Sequence, residues 1–328
     1  MSGLVTIYGG SGFVGRYIAR RMARAGWRVR VAVRNPNEAM FVRPYGVVGQ
    51  VEPVLCNVRD DNSVRLALQG ADAVVNCVGI LVESGKNRFG SVQAEAPARI
   101  ARIAAEEGVA RMVHVSAIGA SDDSDSDYAR TKAEGEAGVL AHMPQAGILR
   151  PSIIFGPEDE FFNRFAGMTR TSPILPVAEA NSRFQPVYVD DVAHAAELAV
   201  IGKAAPGVYE LGGPDTETFR ELMQRMLKVI HRRRLVLNMP MFVARLMAFV
   251  FDSLQSITFG LFTNTVLTRD QLANLANDNV VAPGAKGFEE LGIDPMSMES
   301  VMPDYLWRFR PSGQYDAIKD SARGLRRN

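Results

Sequence analysis

The sequence predicts a doubly wound α/β fold: a Rossmann-like parallel sheet with helices on both faces, followed by a smaller C-terminal lobe. Short β-like runs alternate with helical patterns through residue 150, and a glycine cluster directly follows the first run. Strand–helix–strand units of these lengths join right-handed into parallel sheets. The 328 residues, 47% of them hydrophobic, are enough to bury a core without disulfides.

The first domain is predicted over residues 1–150. Apolar or alternating runs predict strands at Leu4–Tyr8, Arg28–Val33, Val51–Leu55, Ala73–Cys77, Arg111–Val115 and Ala146–Leu149. Apolar side chains at helical spacing predict helices at Arg16–Ala25, around Val64–Leu68, at Ala94–Glu107 and from about Tyr128 to Leu140. This alternation is typical of a doubly wound parallel sheet.

A smaller lobe is predicted over residues 151–310, with strands that cross back to the sheet. Helices are expected at Phe161–Met168, Asp191–Ile201 and Phe219–His231, and strands at Phe184–Val189 and Val208–Leu211. Residues 311–328 are polar and basic, and we expect a tail that is mobile or bound to a partner.

Charge and cysteine content exclude several classes of function. A net charge of +1 gives no argument for a nucleic-acid partner, although residues 1–34 carry seven Arg and no acidic residue. Cys56, Cys77 and the four His lack metal-ligand spacing, so no metal site is predicted and the thiols indicate a reducing compartment. The first apolar run is too short for a signal peptide.

Gly9, Gly12 and Gly15 form a GxxGxxG turn between the first strand and the first helix. Glycines allow the tight turn and let a pyrophosphate touch bare backbone. The helix N-terminus adds free N–H groups and the positive end of its dipole. This context predicts a dinucleotide site, with Ser11 and Phe13 also contacting the cofactor.

The end of the second strand indicates which dinucleotide is bound. NAD sites place an Asp or Glu about 20 residues after the turn, whereas Arg34 stands here. An arginine suits a 2′-phosphate through charge-assisted, bidentate hydrogen bonds. Arg16, directly after Gly15, is a second candidate phosphate contact. A solvated surface role is the alternative for both arginines, and NADPH is predicted over NADH.

Two further strand ends are expected to line the cofactor, because ligands sit at the carboxyl ends of parallel strands. Asn57 and Val58 would line the adenine, and Val78 and Gly79 would lie under the ribose and nicotinamide. Ordinary strand-ending turns are the alternative.

Tyr128 and Lys132 form a YxxxK pair on one face of a predicted helix. A nearby ammonium favours the phenolate, so the tyrosine could act as acid or base on a carbonyl or alcohol. The lysine could also hold the ribose hydroxyls. A surface pair without function is the alternative.

Residues 4–215 resemble the short-chain dehydrogenase/reductase superfamily, in its extended or atypical branch. The family's glycines match Gly9, Gly12 and Gly15, and its Tyr and Lys match Tyr128 and Lys132.

At two positions the sequence departs from the pattern of active family members. Active members place a Ser or Thr just after strand five, where Ala117 or Ile118 stands here, while Ser116 is nearby. The family's Asn on the helix after strand four is absent, and Gln93 is nearest. The resemblance implies vestigial or weak catalysis, with intact cofactor binding by further residues: Ser116, Pro151 and Ile154.

Two stretches narrow the family further. FGPED at residues 155–159 runs into FFNR, and residues 303–313 read PDYLWRFRPSG. They resemble the short-chain-dehydrogenase-like accessory subunit of respiratory complex I, of mitochondria and related alphaproteobacteria, over nearly the whole chain. This implies a tightly held, structural NADPH beside core subunits near the quinone site. The lack of a transit peptide favours a bacterial version.

Met239–Phe262 is strongly apolar but is interrupted by Arg245 and Asp252. A spanning helix needs about 20 largely uncharged residues, so we predict an interfacial or partner-docking helix. The basic cluster at residues 231–234 precedes it and suits an anionic membrane surface. A helix buried in its own lobe is the alternative.

Three hypotheses follow. The leading one is a noncatalytic accessory subunit of complex I, peripheral on the cytoplasmic side of the bacterial inner membrane, or on the matrix side in mitochondria. The second is an active NADP-dependent reductase or epimerase that uses Tyr128 as acid/base and Lys132 as ribose anchor. The third is a soluble sensor of the NADP+/NADPH ratio.

Overall fold

Strands and helices alternate regularly through the first half of the chain. A computed structural model describes residues 3–257 and 268–315. Its strands are β1 (Leu4–Tyr8), β2 (Arg28–Val33), β3 (Val51–Leu55), β4 (Ala73–Asn76), β5 (Arg111–Val115), β6 (Gly147–Pro151), β7 (Ile154–Phe155), β8 (Ile174–Ala178), β9 (Arg183–Phe184), β10 (Val187–Tyr188), β11 (Gly207–Leu211), β12 (Glu217–Thr218) and β13 (Leu235–Met239).

The helices between these strands pack on the sheet or build the second lobe. They are α1 (Phe13–Arg24), α2 (Asp61–Leu68), α3 (Glu95–Glu106), α4 (Asp127–His142), α5 (Phe162–Met168), α6 (Val189–Val200), α7 (Phe219–Val229), α8 (Met241–Ile257), α9 (Arg269–Leu275), α10 (Phe288–Leu291) and α11 (Met298–Leu306). A π turn at Gly90–Ala94 precedes α3, and a 3₁₀ segment at Pro36–Tyr45 follows β2.

Seven strands form one parallel sheet in the order β11-β6-β5-β4-β1-β2-β3. The chain moves outward from β1 in one direction and then returns to β4 on the other side. This reversal between β1 and β4 opens a crevice at the carboxyl ends of the strands, where doubly wound folds bind ligands. The predicted fold class is confirmed.

Two apolar layers cover the faces of this sheet. On one face α1 and α6 contribute Ile18, Met22, Val192 and Ala196 to a cluster with the strand residue Val31. On the other face, residues of α2, α3 and α4 pack against the opposite side of the strands. Both faces are therefore buried, which explains why the central strands β1 and β4 are nearly continuous apolar runs.

Side-chain caps fix where several helices begin. Ser126 accepts a hydrogen bond from the backbone N–H of Ala129 at the start of α4. Thr218 and Glu221 form a capping box at the start of α7. Such caps satisfy N–H groups that have no partner within the helix. The helix that carries Tyr128 and Lys132 thus starts at a defined residue.

The second lobe departs from the prediction in detail. The predicted strand at residues 184–189 is split into β9 and β10 around Pro186, which has no N–H to donate, and the next helix starts at Val189. Neither β8 nor β13 was predicted, and the two strands pair with each other in parallel.

The predicted apolar helix begins at Met241, after β13, and continues to Ile257. Its predicted end, residues 258–262, and the tail beyond Tyr315 lie outside the described residues. Within residues 3–257 and 268–315, no helix combines the length and apolarity that crossing a bilayer requires.

Candidate nucleotide-binding site

The glycine turn lies at the carboxyl end of β1 and has no room for side chains. Gly9 adopts a left-handed backbone with φ of +74°. A Cβ on Gly15 would lie 2.3 Å from the carbonyl oxygen of Gly9, so α1 packs directly against the turn. Only glycine meets both requirements.

The N-terminus of α1 carries no internal anion. Gly12 is its cap residue and supplies no side-chain hydrogen bond, and the first turn contains no acidic side chain. Ser11 and Phe13 flank this end of the helix and are partly buried. The first N–H groups and the positive end of the helix dipole therefore face the crevice, which suits a pyrophosphate.

Arg34 and Arg16 differ in how freely they could meet a phosphate. Arg34 is exposed just beyond β2 and makes no hydrogen bond or ion pair with the residues that the structure describes. The Arg16 guanidinium donates to the carbonyls of Ser11 and Gly12 at 3.1 and 3.2 Å and lies 4.8 Å from the centre of the Phe41 ring. Arg34 is the more available cation.

The ends of β3 and β4 lie on the same edge of the sheet. Asn57 is exposed, and its Oδ1 accepts a hydrogen bond from the N–H of Arg59 at 3.2 Å, while Val58 is partly buried. The N–H of Val78 donates to Oδ1 of Asn76 at 3.1 Å.

Gly79 lies next to the lysine of the YxxxK pair. A Cβ on Gly79 would lie 3.5 Å from Nζ of Lys132. The end of β4 and α4 therefore meet at the predicted ribose position.

Lys132 is buried, and its Nζ donates to the carbonyl of Val115 at 3.2 Å and lies 5.9 Å from the centre of the Tyr128 ring. Burial lowers the pKa of Lys132 to about 8. Burial, and then the Asp270 carboxylate, raise the pKa of Tyr128 to about 12. The phenol is therefore neutral near pH 7, contrary to the expectation of a favoured phenolate.

Ser116 is engaged in a buried ionic cluster. Its hydroxyl donates to Oε1 of Glu136, and the Glu136 carboxylate pairs with Arg150 at 2.6 Å. The neighbouring N–H of Ile118 donates to the carbonyl of Pro151 at 3.0 Å, and Ile154 is partly buried in β7. Ser116 thus has a structural partner of its own.

Two buried polar atoms on elements that follow β4 have no hydrogen-bond partner among the described residues. They are Oε1 of Gln93, in the π turn, and Nε2 of His114, on β5. Burial, and then Lys132, lower the pKa of His114 to about 3, and its Nδ1 lies 3.1 Å from Nδ2 of Asn76. Sequence reasoning missed His114, because an inward-facing histidine on a buried strand has no distinguishing pattern.

We compared the sequence and the fold with those of known proteins. Residues 5–212 match the NAD dependent epimerase/dehydratase family. Among solved structures, DesIV from Streptomyces venezuelae, a dTDP-glucose 4,6-dehydratase with NAD and TYD bound, has a TM-score of 0.69 at 20% identity. The match covers 93% of this chain and 96% of DesIV. That likeness supports the fold.

Two sequence relatives extend the match. The chain is 32% identical over 320 residues to "NADH dehydrogenase (ubiquinone) 1 alpha subcomplex subunit 9, mitochondrial" of Arabidopsis thaliana, covering 95% of this chain and 80% of that protein. It is 32% identical over 240 residues to the ceramide reductase of Caulobacter vibrioides, covering 73% and 74%. The chain therefore belongs to the NAD dependent epimerase/dehydratase family and is homologous to this subunit of the mitochondrial NADH dehydrogenase (ubiquinone).

Proposed function

We propose that this chain is a noncatalytic accessory subunit of respiratory complex I, of the alphaproteobacterial type. It would bind NADP(H) as a structural ligand and support assembly and stability near the quinone site, against core subunits. The observation that carries this proposal is the similarity to the Arabidopsis complex I subunit over 95% of this chain.

The cofactor would be held by groups at the carboxyl edge of the sheet. The N–H groups at the start of α1 would bind the pyrophosphate, Arg34 the 2′-phosphate, and Lys132 the ribose hydroxyls. Residues at the strand ends would enclose the rings: Asn57, Val58, Val78, Gly79, Pro151 and Ile154. A ligand that binds only the folded state stabilises that state, so cofactor occupancy would favour assembly.

The noncatalytic role is supported by the groups around Tyr128. The Ser or Thr that orients a substrate carbonyl in active members is replaced, and the Ser116 hydroxyl is bound to Glu136. A phenol whose pKa is raised to about 12 is a poor base near pH 7. The proposed site therefore has groups that would bind the cofactor, but it lacks a free hydroxyl that would orient a substrate carbonyl.

Helix α8 supplies a surface for attachment. Ala244 and Ala248 face inward and are buried, whereas Phe242 and Leu246 are 73% and 62% exposed. Together with the exposed Phe249 and Val250 they form an apolar stripe, which we name the docking stripe. Large exposed apolar patches mark protein or membrane contacts.

A cationic and apolar patch lies at the start of β13, the strand that leads into α8. Ile174 of β8 and its partner Leu235 of β13 are both exposed. Just before β13, Arg232 and Arg234 donate to the carbonyls of Phe309 and Thr169 and pair with no carboxylate among the described residues. Unpaired arginines beside apolar side chains suit an anionic membrane surface, on the cytoplasmic or matrix side.

The test separates native membranes, dissolved in mild detergent, by size under non-denaturing conditions and locates the chain by mass spectrometry. Comigration with NADH:quinone oxidoreductase activity is expected. Leu246→Glu with Phe249→Glu should abolish comigration, whereas Leu66→Glu, on an exposed position of α2, should not. Migration of the wild-type chain as a free monomer or small oligomer would reject the proposal.

A second candidate is an active NADP-dependent reductase. A groove of about 1010 Å³ lies between the loop after β5 and the helices α8 and α9, and its apolar wall includes Leu246 and Leu272. The ceramide reductase relative makes a long-chain lipid carbonyl the favoured substrate class. NADPH would give hydride to the carbonyl carbon while the Tyr128 phenol gives its proton to the oxygen.

This candidate predicts that a long-chain ketone accelerates NADPH oxidation by the wild-type chain and that Tyr128→Phe removes the acceleration. Equal rates in the two proteins would reject it. Tyr128 does not line the groove, although the preceding residues Ser124 and Asp125 do, so the lipid carbonyl would have to reach past the start of α4.

A further inference from the structure

Asp270, in the first turn of α9, holds the start of α4, the helix that carries Tyr128 and Lys132. Its Oδ1 accepts hydrogen bonds from the backbone N–H groups of Asp127 and Tyr128 at 2.6 and 3.4 Å. Its Oδ2 accepts from the Ser126 hydroxyl at 3.1 Å. A carboxylate there compensates N–H groups that the helix itself leaves unpaired, and it complements the helix dipole.

The other side of α9 holds α8. Leu272 forms a small buried cluster with Ala178, Ala244 and Ala248. Three of these four side chains are alanines, so the packing buries little apolar area. Met239 and Met241 pack against this cluster, and the Ser182 hydroxyl donates to the carbonyl of Leu275 at the end of α9. Asp270 is the side chain of α9 that ties this assembly to the start of α4.

We propose that Asp270 is a positioning residue that makes NADP(H) binding and the seating of α8 depend on each other. This rests on the proposed function, since it needs the cofactor to bind beside Tyr128 and Lys132. A cofactor that orders α4 fixes the N–H groups that Asp270 accepts from, and so favours the packed α9–α8 pair. By linkage, a partner that binds the docking stripe would raise cofactor affinity by the same factor.

Two features connect the cofactor site on α4 with the docking stripe on α8. The Asp270 carboxylate is close enough to Tyr128 to contribute, after burial, to the raised pKa of the phenol. The docking stripe and the buried Ala244 and Ala248 lie on opposite sides of one helix, so a partner can bind the stripe while α8 stays packed on α9. A single carboxylate thus connects the cofactor helix to the attachment surface.

The experiment compares the full chain with Asp270→Asn and, as a matched control, with Asp304→Asn at an exposed position of α11. NADPH affinity is measured by titration, and hydrogen exchange is followed in peptides covering residues 241–250 and 268–276 with and without NADPH. In the wild-type chain and in D304N, NADPH should slow exchange in both peptides. In D270N, affinity should fall about tenfold and the slowing in residues 241–250 should disappear.

Leu272→Ala provides an independent variant in case D270N does not fold, because it weakens the same link from the α8 side and leaves Asp270 in place. It should also lower NADPH affinity.

The outcomes separate the two proposals. NADPH binding with no effect on exchange in residues 241–250 of the wild-type chain, or equal protection in D270N, would overturn the coupling and leave the proposed cofactor role intact. Failure of the wild-type chain to bind NADPH would reject the cofactor role, and the coupling with it.

Discussion

The Tyr305 phenol donates a hydrogen bond to Oδ2 of Asp159 at 2.7 Å, and the two side chains are only 5% and 3% exposed. Asp159 also accepts from the N–H groups of Gly156 and Asn163 at 3.1 and 2.9 Å. Burial raises the pKa of Asp159, and these donors oppose it. The two most distinctive stretches of the sequence, residues 155–164 and 303–313, therefore meet in one buried contact.

Removing the phenol hydroxyl should destabilise this contact. Tyr305→Phe leaves the buried Asp159 oxygen with one donor fewer, at a cost of about 1–3 kcal/mol in the free energy of unfolding. Denaturant unfolding measures it, and Tyr315→Phe, at an exposed tyrosine, is the control. Equal stability of the two variants would show that the contact contributes little.

The glycine turn predicts a loss of both stability and cofactor affinity in Gly15→Ala. The new Cβ would lie 2.3 Å from the carbonyl oxygen of Gly9, so α1 must move, at about 1–3 kcal/mol. Gly90→Ala is the control, because no atom lies within 4 Å of its added Cβ. Thermal unfolding with and without NADPH checks both effects, and unchanged affinity in G15A would contradict a turn in contact with the cofactor.

Arg34→Asp should remove the preference for NADPH over NADH. Loss of a charge-assisted phosphate contact should weaken NADPH binding about 10- to 100-fold while NADH binding changes little. Arg28→Asp makes the same charge change at the opposite end of β2, away from the crevice, and should leave the ratio unchanged. Titration of both cofactors gives the ratio, and an unaltered ratio in R34D would reject the assignment.

Lys132→Met should stabilise the cofactor-free protein near pH 7 and weaken NADPH binding. Folding lowers the pKa of Lys132 from 10.5 to about 8, which costs the wild-type chain about 3 kcal/mol of stability near pH 7. The variant avoids this cost but loses the hydrogen bond to the carbonyl of Val115, which is worth about 1 kcal/mol. Between pH 8 and pH 10.5, Lys132 is protonated in the unfolded chain but mostly neutral in the folded chain. Wild-type stability therefore gains a rising contribution from pH 8 to 10.5, and K132M lacks it.

Stability curves of both proteins across this pH range test the prediction. Other groups titrate in the same range, so the difference between the two curves is the relevant quantity. A difference that stays constant with pH would contradict a buried lysine with a lowered pKa.

Local patterns predicted the sheet and the glycine turn well. The first six strands occur within two residues of their expected bounds, because buried parallel strands are short apolar runs with turns at both ends. The predicted end of β2 at Val33 was enough to place Arg34 directly after the strand. β13 was missed because its five residues follow three arginines and run directly into an apolar helix.

Contacts between distant parts of the chain could not be predicted. The side chains of Asp159 and Tyr305 are 146 residues apart, and Asp270 is 142 residues from Tyr128. No local spacing indicates that an aspartate in a second-lobe helix caps the cofactor helix. The raised pKa of Tyr128 was missed for the same reason, because the residues that bury its side chain belong to distant parts of the chain.

The seventh strand of the sheet has a consequence for biosynthesis. β11, at Gly207–Leu211, pairs with β6, and α6 covers the same face as α1. A nascent chain that has left the ribosome only as far as residue 150 has an unpaired sheet edge and an uncovered apolar face. The cofactor-binding half therefore cannot finish folding until more than 60 further residues have been translated, and an earlier stop leaves a surface that chaperones must shield.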